Sequence, residues 1–204
     1  MTINEFFVKV KRKLKRIVGN YLFHYPRILK YNFLSNCQNV VGKPIYYQPT
    51  QLLGGGTIMF GNNVRLGVNP SPGFYSGYGY IDARKAHSTI RIGDDVWINN
   101  NVMIISEGEG IEIGAETLIG LNVEITDSNF HDLHPDKRMG GNPKTAKVTI
   151  GKNVFIGSNV KILKGVSIGD NSVIANSSVV TQSIAENVIA GGYPCKVIKS
   201  LDLN

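Results

Sequence analysis

From residue 150 onward the chain sets an aliphatic side chain at every sixth position without a break: Ile150, Ile156, Ile162, Ile168, Ile174 and Val180. Ile92, Ile98 and Ile104 keep the same step earlier, and so do Ile113, Ile119 and Ile125. Period six excludes both long regular elements, because a helix buries positions three and four apart and a strand buries alternate ones. It fits a short strand, a tight turn and another short strand, each hexad forming one flat face of a coil. The first aliphatic then points inward, and a small or branched residue four places on (Val96, Val154, Val160, Ser178) fills the corner. The glycine or asparagine between them permits the turn. Three faces close a coil of about 18 residues, and coils stack about 4.8 Å apart. The fold class is an all-β solenoid of triangular coils, and the spacing does not reveal its handedness.

The rhythm breaks once. Six residues beyond Ile125 stands His131, within ITDSNFHDLHPDKR, and register resumes only at Ile150. That step is one residue longer than a coil, so residues 132–147 are expected to leave the prism as a polar loop and return. An imidazole titrates near working pH and suits the role of a proton acceptor. The alternative is a histidine that ends a strand and hydrogen-bonds the loop.

Much of the formal net charge of +7 lies in one early segment, FFVKVKRKLKRIVGNYLF. Lys9, Lys11, Arg12, Lys13, Lys15 and Arg16 alternate there with Phe7, Val10, Leu14, Ile17, Val18 and Tyr21 at helical spacing, predicting a basic amphipathic helix. Its stripe would pack on its own protein or a neighbouring subunit, or dock on an anionic inner-membrane surface. Nucleic acid is not expected, since no nucleic-acid motif accompanies the charge. The chain thus divides into a helical segment, 1–38, a solenoid, 39–192, and a tail, 193–204. No apolar run reaches the length of a membrane span and no secretory signal is evident, so a cytoplasmic location is expected. Cys37 and Cys195 match no metal-ligand spacing and read as reduced thiols.

The tail IGDNSVIANSSVVTQSIAENVIAGGYPCKVIK resembles the closing coils of the hexapeptide-repeat acyltransferases, and residues 60–200 follow that family's order of repeat, interrupting loop and terminal GYPCKVIK. Cys195 departs from that pattern, where the family has alanine. The resemblance implies a left-handed parallel β-helix, a homotrimer, acetyl-CoA as cosubstrate, no metal, and a carbohydrate acceptor, as in bacterial sugar and polysaccharide O-acetyltransferases. It also implies that the excursion loop walls an active site and that His131 is the catalytic base.

For the acceptor it points to Asn100, one coil before the histidine, although Asn100 could equally be a turn asparagine. His134 is a rival base, an acceptor contact or a solvated loop residue. Asp127 or Asn129 would orient the imidazole or cap a turn. Trp97 would be a sugar-stacking wall or a packing contact between subunits. For coenzyme A the resemblance implies an intersubunit groove along the late coils, with Gly157, Ala175, Ser177 and Thr181 against the pantetheine and Lys196 and Lys199 facing the phosphates.

Other activities use the same prism. A zinc enzyme would draw on His87, His131 and His134, whose spacing does not suit it. An amino-sugar N-acetyltransferase and a serine or antibiotic acetyltransferase share the chemistry, and an inert trimeric scaffold would bind no coenzyme A. The short basic helix in place of a nucleotide-sugar-binding domain favours O-acetylation of a surface-polysaccharide sugar or its lipid-linked precursor.

Overall fold

Strands of two to five residues recur three to a coil and hydrogen-bond in parallel to their counterparts one coil away. In this computed structural model, which describes residues 3–202, the chain visits three sheets, here A, B and C, in strict rotation for six coils. The winding is a left-handed parallel β-helix, an exception to the right-handed crossover rule. The first coil takes Asn39–Val41, Ile45–Tyr46 and Thr50–Leu53 as its strands, before the hexads become regular.

Register explains the period. Phe60, Ile92, Ile113, Ile150 and Ile168 stand in one column inside sheet A. Leu66, Ile98, Ile119, Ile156 and Ile174 form a second inside sheet B, and Leu52, Ile81, Ile104, Ile125, Ile162 and Val180 a third inside sheet C. All are buried, and the three columns meet along the axis to fill the prism. Each coil buries apolar surface only against its neighbours, so the fold is held by stacking.

The corners explain the asparagines. Asn63, Asn101, Asn122, Asn153, Asn159, Asn171 and Asn187 all have positive φ, a backbone state that asparagine adopts more readily than other residues with a side chain. Their amides link the coils: Asn153 donates to Asn171 at 3.0 Å and Asn171 to Asn187 at 2.8 Å, while Asn101, Asn122 and Asn159 form a second ladder. The expected corner residues Val96, Val154, Val160 and Ser178 are all buried.

Two loops leave the prism. One was expected at 132–147, but Ser128 bridges Thr145, and the Asn129 N–H donates to the Lys144 carbonyl at 3.1 Å. The excursion is therefore 129–144, three residues earlier at each end, and His131 stands within it. The second, residues 67–78, interrupts the second coil between sheets B and C. Its VNPSPG run is the turn chemistry that signals it.

The N-terminal segment is two helices, not one. Helix α1 spans Ile3–Gly19 and, after a π-helical turn at Asn20–His24, α2 spans Tyr25–Phe33 with Pro26 in its first turn. The Arg27 guanidinium of α2 donates to the carbonyls of Phe74, at 2.8 Å, and Gly77. His24 stacks on Phe74 with ring centroids 5.0 Å apart, and Tyr31 on Tyr78 at 4.3 Å. By contrast no residue of α1 is buried, which corrects the expectation that its stripe packs on the chain's own body. At the other end Cys195–Ser200 folds back antiparallel on Val188–Gly192 and extends sheet B.

Candidate active site

His131 lies in solvent, as its position in the excursion loop requires. Its Nδ1 is 2.9 Å from the carbonyl oxygen of Arg138. A carbonyl only accepts, so Nδ1 donates in this contact, and in the neutral ring Nε2 is then the nitrogen that can accept a proton. Phe130, with φ +60°, turns the chain into this position, and the Arg84 guanidinium lies over its ring 5.1 Å from the centroid. Burial alone would lower the Arg84 pKa, but the Asp82 carboxylate at 3.0 Å and nearby Glu107 hold it above its ordinary value.

The stem of the loop rests on Asp127. Its buried carboxylate accepts from the Ser106 hydroxyl at 2.7 Å and from the backbone N–H groups of Glu107, Gly108 and Gly110 at 2.7, 3.2 and 2.8 Å. Both oxygens are spent on the turn after the third strand of the preceding coil. Of the two roles expected for Asp127, orienting the imidazole and capping a turn, the structure gives it the second, and it has no free oxygen for an acceptor. Ser128 adds a bond to the Glu107 carboxylate at 2.7 Å and receives the Phe130 N–H at 2.9 Å.

Asn100 is likewise corrected. It has no exposed surface: its Oδ1 accepts from the Val68 N–H at 3.0 Å, and its Nδ2 donates to the carbonyls of Val68 and Pro72 at 3.1 and 3.0 Å. Its amide clips loop 67–78 to the prism and has nothing left for a sugar. Gln48 helps from the other side, donating to Gly73 and to the Asn101 side chain, both at 3.0 Å. His134 caps its own short turn, Pro135–Lys137, with Nδ1 accepting from the Asp136 N–H at 3.3 Å. Trp97 faces outward from sheet B beneath the Arg65 guanidinium, 4.1 Å from the ring centroid, and heads an exposed apolar column with Leu118 and Phe155.

The positions assigned to coenzyme A divide between edges. Gly157, Ala175 and Ser177 follow sheet B strands and lie on the edge leading to sheet C, where Asn100 also sits. Thr181 follows the last sheet C strand, on the edge leading to sheet A where the His131 loop emerges. Ser177, Thr181, Lys196 and Lys199 are exposed and Ala175 half-buried. Gly157 has a packing reason of its own, since a Cβ there would come within 2.4 Å of the Asn176 side chain in the coil above. Within one chain, His131 and the sheet B edge are separated by the full width of sheet C.

The sequence pattern described as bacterial transferase hexapeptide (six repeats) matches residues 147–182. A candidate lipopolysaccharide biosynthesis O-acetyl transferase of Escherichia coli is 34% identical over 175 residues, covering 82% of this chain and 81% of that protein. The galactoside O-acetyltransferase of Escherichia coli is 40% identical over 115 residues, 56% of each chain. The chain spans 56% to 61% of the length of the first relatives it matches. Among solved structures, a hexapeptide-repeat-containing acetyltransferase of Vibrio cholerae superposes with a TM-score of 0.55 at 25% identity, covering 99% of this chain and 94% of that one. Coil, repeat and relatives agree, and the chain belongs to the family of bacterial hexapeptide-repeat transferases.

Proposed function

We propose that the protein transfers an acetyl group from acetyl-CoA to a hydroxyl of a sugar in a surface polysaccharide or its lipid-linked precursor, with His131 as general base. The observation that carries this reading is the exposed imidazole whose Nδ1 is tied to the Arg138 carbonyl, leaving Nε2 as a proton acceptor. As the sugar oxygen bonds to the thioester carbon, Nε2 takes the hydroxyl proton. The tetrahedral intermediate then expels the coenzyme A sulfur, which takes the proton back from the imidazolium. No covalent enzyme intermediate is required. Relatives named as galactoside and lipopolysaccharide O-acetyltransferases support the sugar acceptor.

The separation of edges supports a homotrimer. A donor laid along Ala175 and Ser177 on one prism meets His131 only if the excursion loop of a second copy covers that edge. The exposed column of Trp97, Leu118 and Phe155 is apolar surface available to such a contact. Lys196 and Lys199, on the terminal hairpin of sheet B, then face the nucleotide phosphates of coenzyme A.

Incubating the protein with acetyl-CoA and candidate oligosaccharides should give products heavier by one acetyl group in mass spectrometry. His131→Ala should lower turnover by about 10²- to 10⁴-fold with an unchanged melting temperature, because the ring bonds the protein at one nitrogen only. Near-normal turnover in that variant would remove His131 from the chemistry.

A further inference from the structure

Helix α1 has an apolar face that is left exposed, with no partner among the described residues. At about 100° per residue, Ile3, Phe6, Phe7, Val10, Leu14, Ile17 and Val18 fall within about one third of its circumference, and all are exposed. Of these, Phe7 is 64% and Leu14 59% exposed, more than side chains that pack on their own protein retain.

The rest of the helix is cationic. Six lysines and arginines stand against one acid, Glu5, so five of the chain's seven net positive charges sit in these 17 residues. On the same wheel Lys11 and Lys13 flank the apolar stripe, while Arg12 and Arg16 lie opposite it.

The tether fixes the orientation. α2 is pinned to loop 67–78 by Arg27, His24 and Tyr31, and α1 projects from it. Between α1 and the prism lies a cleft of about 750 Å³ bordered by Arg12, Lys15 and Arg16 on the helix, by the apolar Val18, Leu22 and Phe23, and by Tyr75. Arg12, Lys15 and Arg16 thus face the cleft with Val18 at the edge of the stripe, and the rest of the stripe, from Ile3 to Ile17, does not line it. Among the described residues no helix is long and apolar enough to cross a membrane, so any contact of α1 with a bilayer runs along the surface.

We propose that α1 docks in the plane of an anionic phospholipid bilayer, its stripe among the acyl chains and its flanking lysines at the headgroup phosphates. Apolar burial and charge attraction act together in such a helix, and neither needs a further partner protein. A second copy of α1 is the competing occupant of the stripe. Two such helices packed stripe to stripe would bring the flanking Lys11 and Lys13 of each copy along the seam, within the screening length of about 8 Å and with no acid beside them on the seam to offset them, and that repulsion opposes the pairing. The docking would hold the prism where a lipid-linked acceptor is presented, but it stands whether or not the acetyl-transfer reading holds.

The test is cosedimentation of the full chain with vesicles of phosphatidylcholine alone and with about one third phosphatidylglycerol. Partitioning into the anionic vesicles should be at least about tenfold stronger, and should fall at least about tenfold at high salt. Phe6→Ser with Phe7→Ser, and separately Lys11→Glu with Lys13→Glu, should each abolish it while leaving the assembly size and acetyl-CoA binding in solution unchanged. Equal partitioning into neutral vesicles, no binding to anionic ones, or an assembly that dissociates in the Phe6 and Phe7 variant would overturn the proposal, the last by assigning the stripe to a second copy.

Discussion

His24 is buried with Nδ1 lacking a hydrogen-bond partner among the described residues, and it holds the N-terminal helices to the prism by stacking on Phe74. Burial, and then the Arg27 charge, push its pKa below 6.5. The unfolded chain therefore binds a proton that the folded chain refuses. Its contribution to stability is complete above about pH 6.5 and is lost as the pH falls toward the lowered folded value. His24→Phe keeps the stacked pair and removes the orphaned nitrogen. Thermal unfolding should show that variant no less stable at neutral pH, with a gain of up to about 1 kcal/mol, and with a shallower loss below pH 6.5. Asn100 and Asp127 teach the same lesson at this scale. Both residue types suit acceptor binding, and both are consumed by backbone groups of other segments.

At the scale of the element, the coil depends on its corners as much as on its core. Asn171 sits at φ +60° and links Asn153 to Asn187, so it supplies both the backbone state and a rung between coils. Asn171→Ala should lower unfolding stability by about 1–2 kcal/mol, and Asn171→Gly by less, since glycine restores the backbone state but not the rung. Denaturant midpoints of the three proteins at equal concentration give the comparison, and equal losses would assign the effect to the ladder alone. The hexads were legible because each repeats one local geometry. Of the two excursions only the one at His131 was read from the sequence, through its missing aliphatics; the 67–78 loop was missed, although its Asn-Pro-Ser-Pro-Gly run is turn chemistry, because it lies before the hexads become regular. The closing points of the His131 loop were not legible, because the Ser128–Thr145 bridge joins residues whose pairing no local pattern encodes.

For the molecule as a whole, the division of the proposed site between two edges of the prism makes a demand on assembly. Co-expressing His131→Ala with a Lys196→Glu, Lys199→Glu chain should restore turnover at limiting acetyl-CoA, because some mixed assemblies pair an intact base with an intact donor edge. Each chain expressed alone should be nearly inactive under the same conditions. Turnover no greater than the sum of the separate samples would place the whole site within one chain. The exposed column of Trp97, Leu118 and Phe155 belongs to the same question, since Arg65 already covers one face of the indole and leaves that face unavailable to a sugar ring.

The sequence by itself determined the solenoid, its three-faced coils, the place where the rhythm fails and the amphipathic character of the first helix. Each of these follows from side chains at fixed short spacings, and spacing is a local property. Tertiary structure alone decided which polar groups remain free. Asn100 meets Val68 across 32 residues of chain and Asp127 meets Ser106 across 21, so their amide and carboxylate are spent before any ligand arrives. It likewise decided that the α1 stripe finds no partner on its own prism, because only α2 is anchored there.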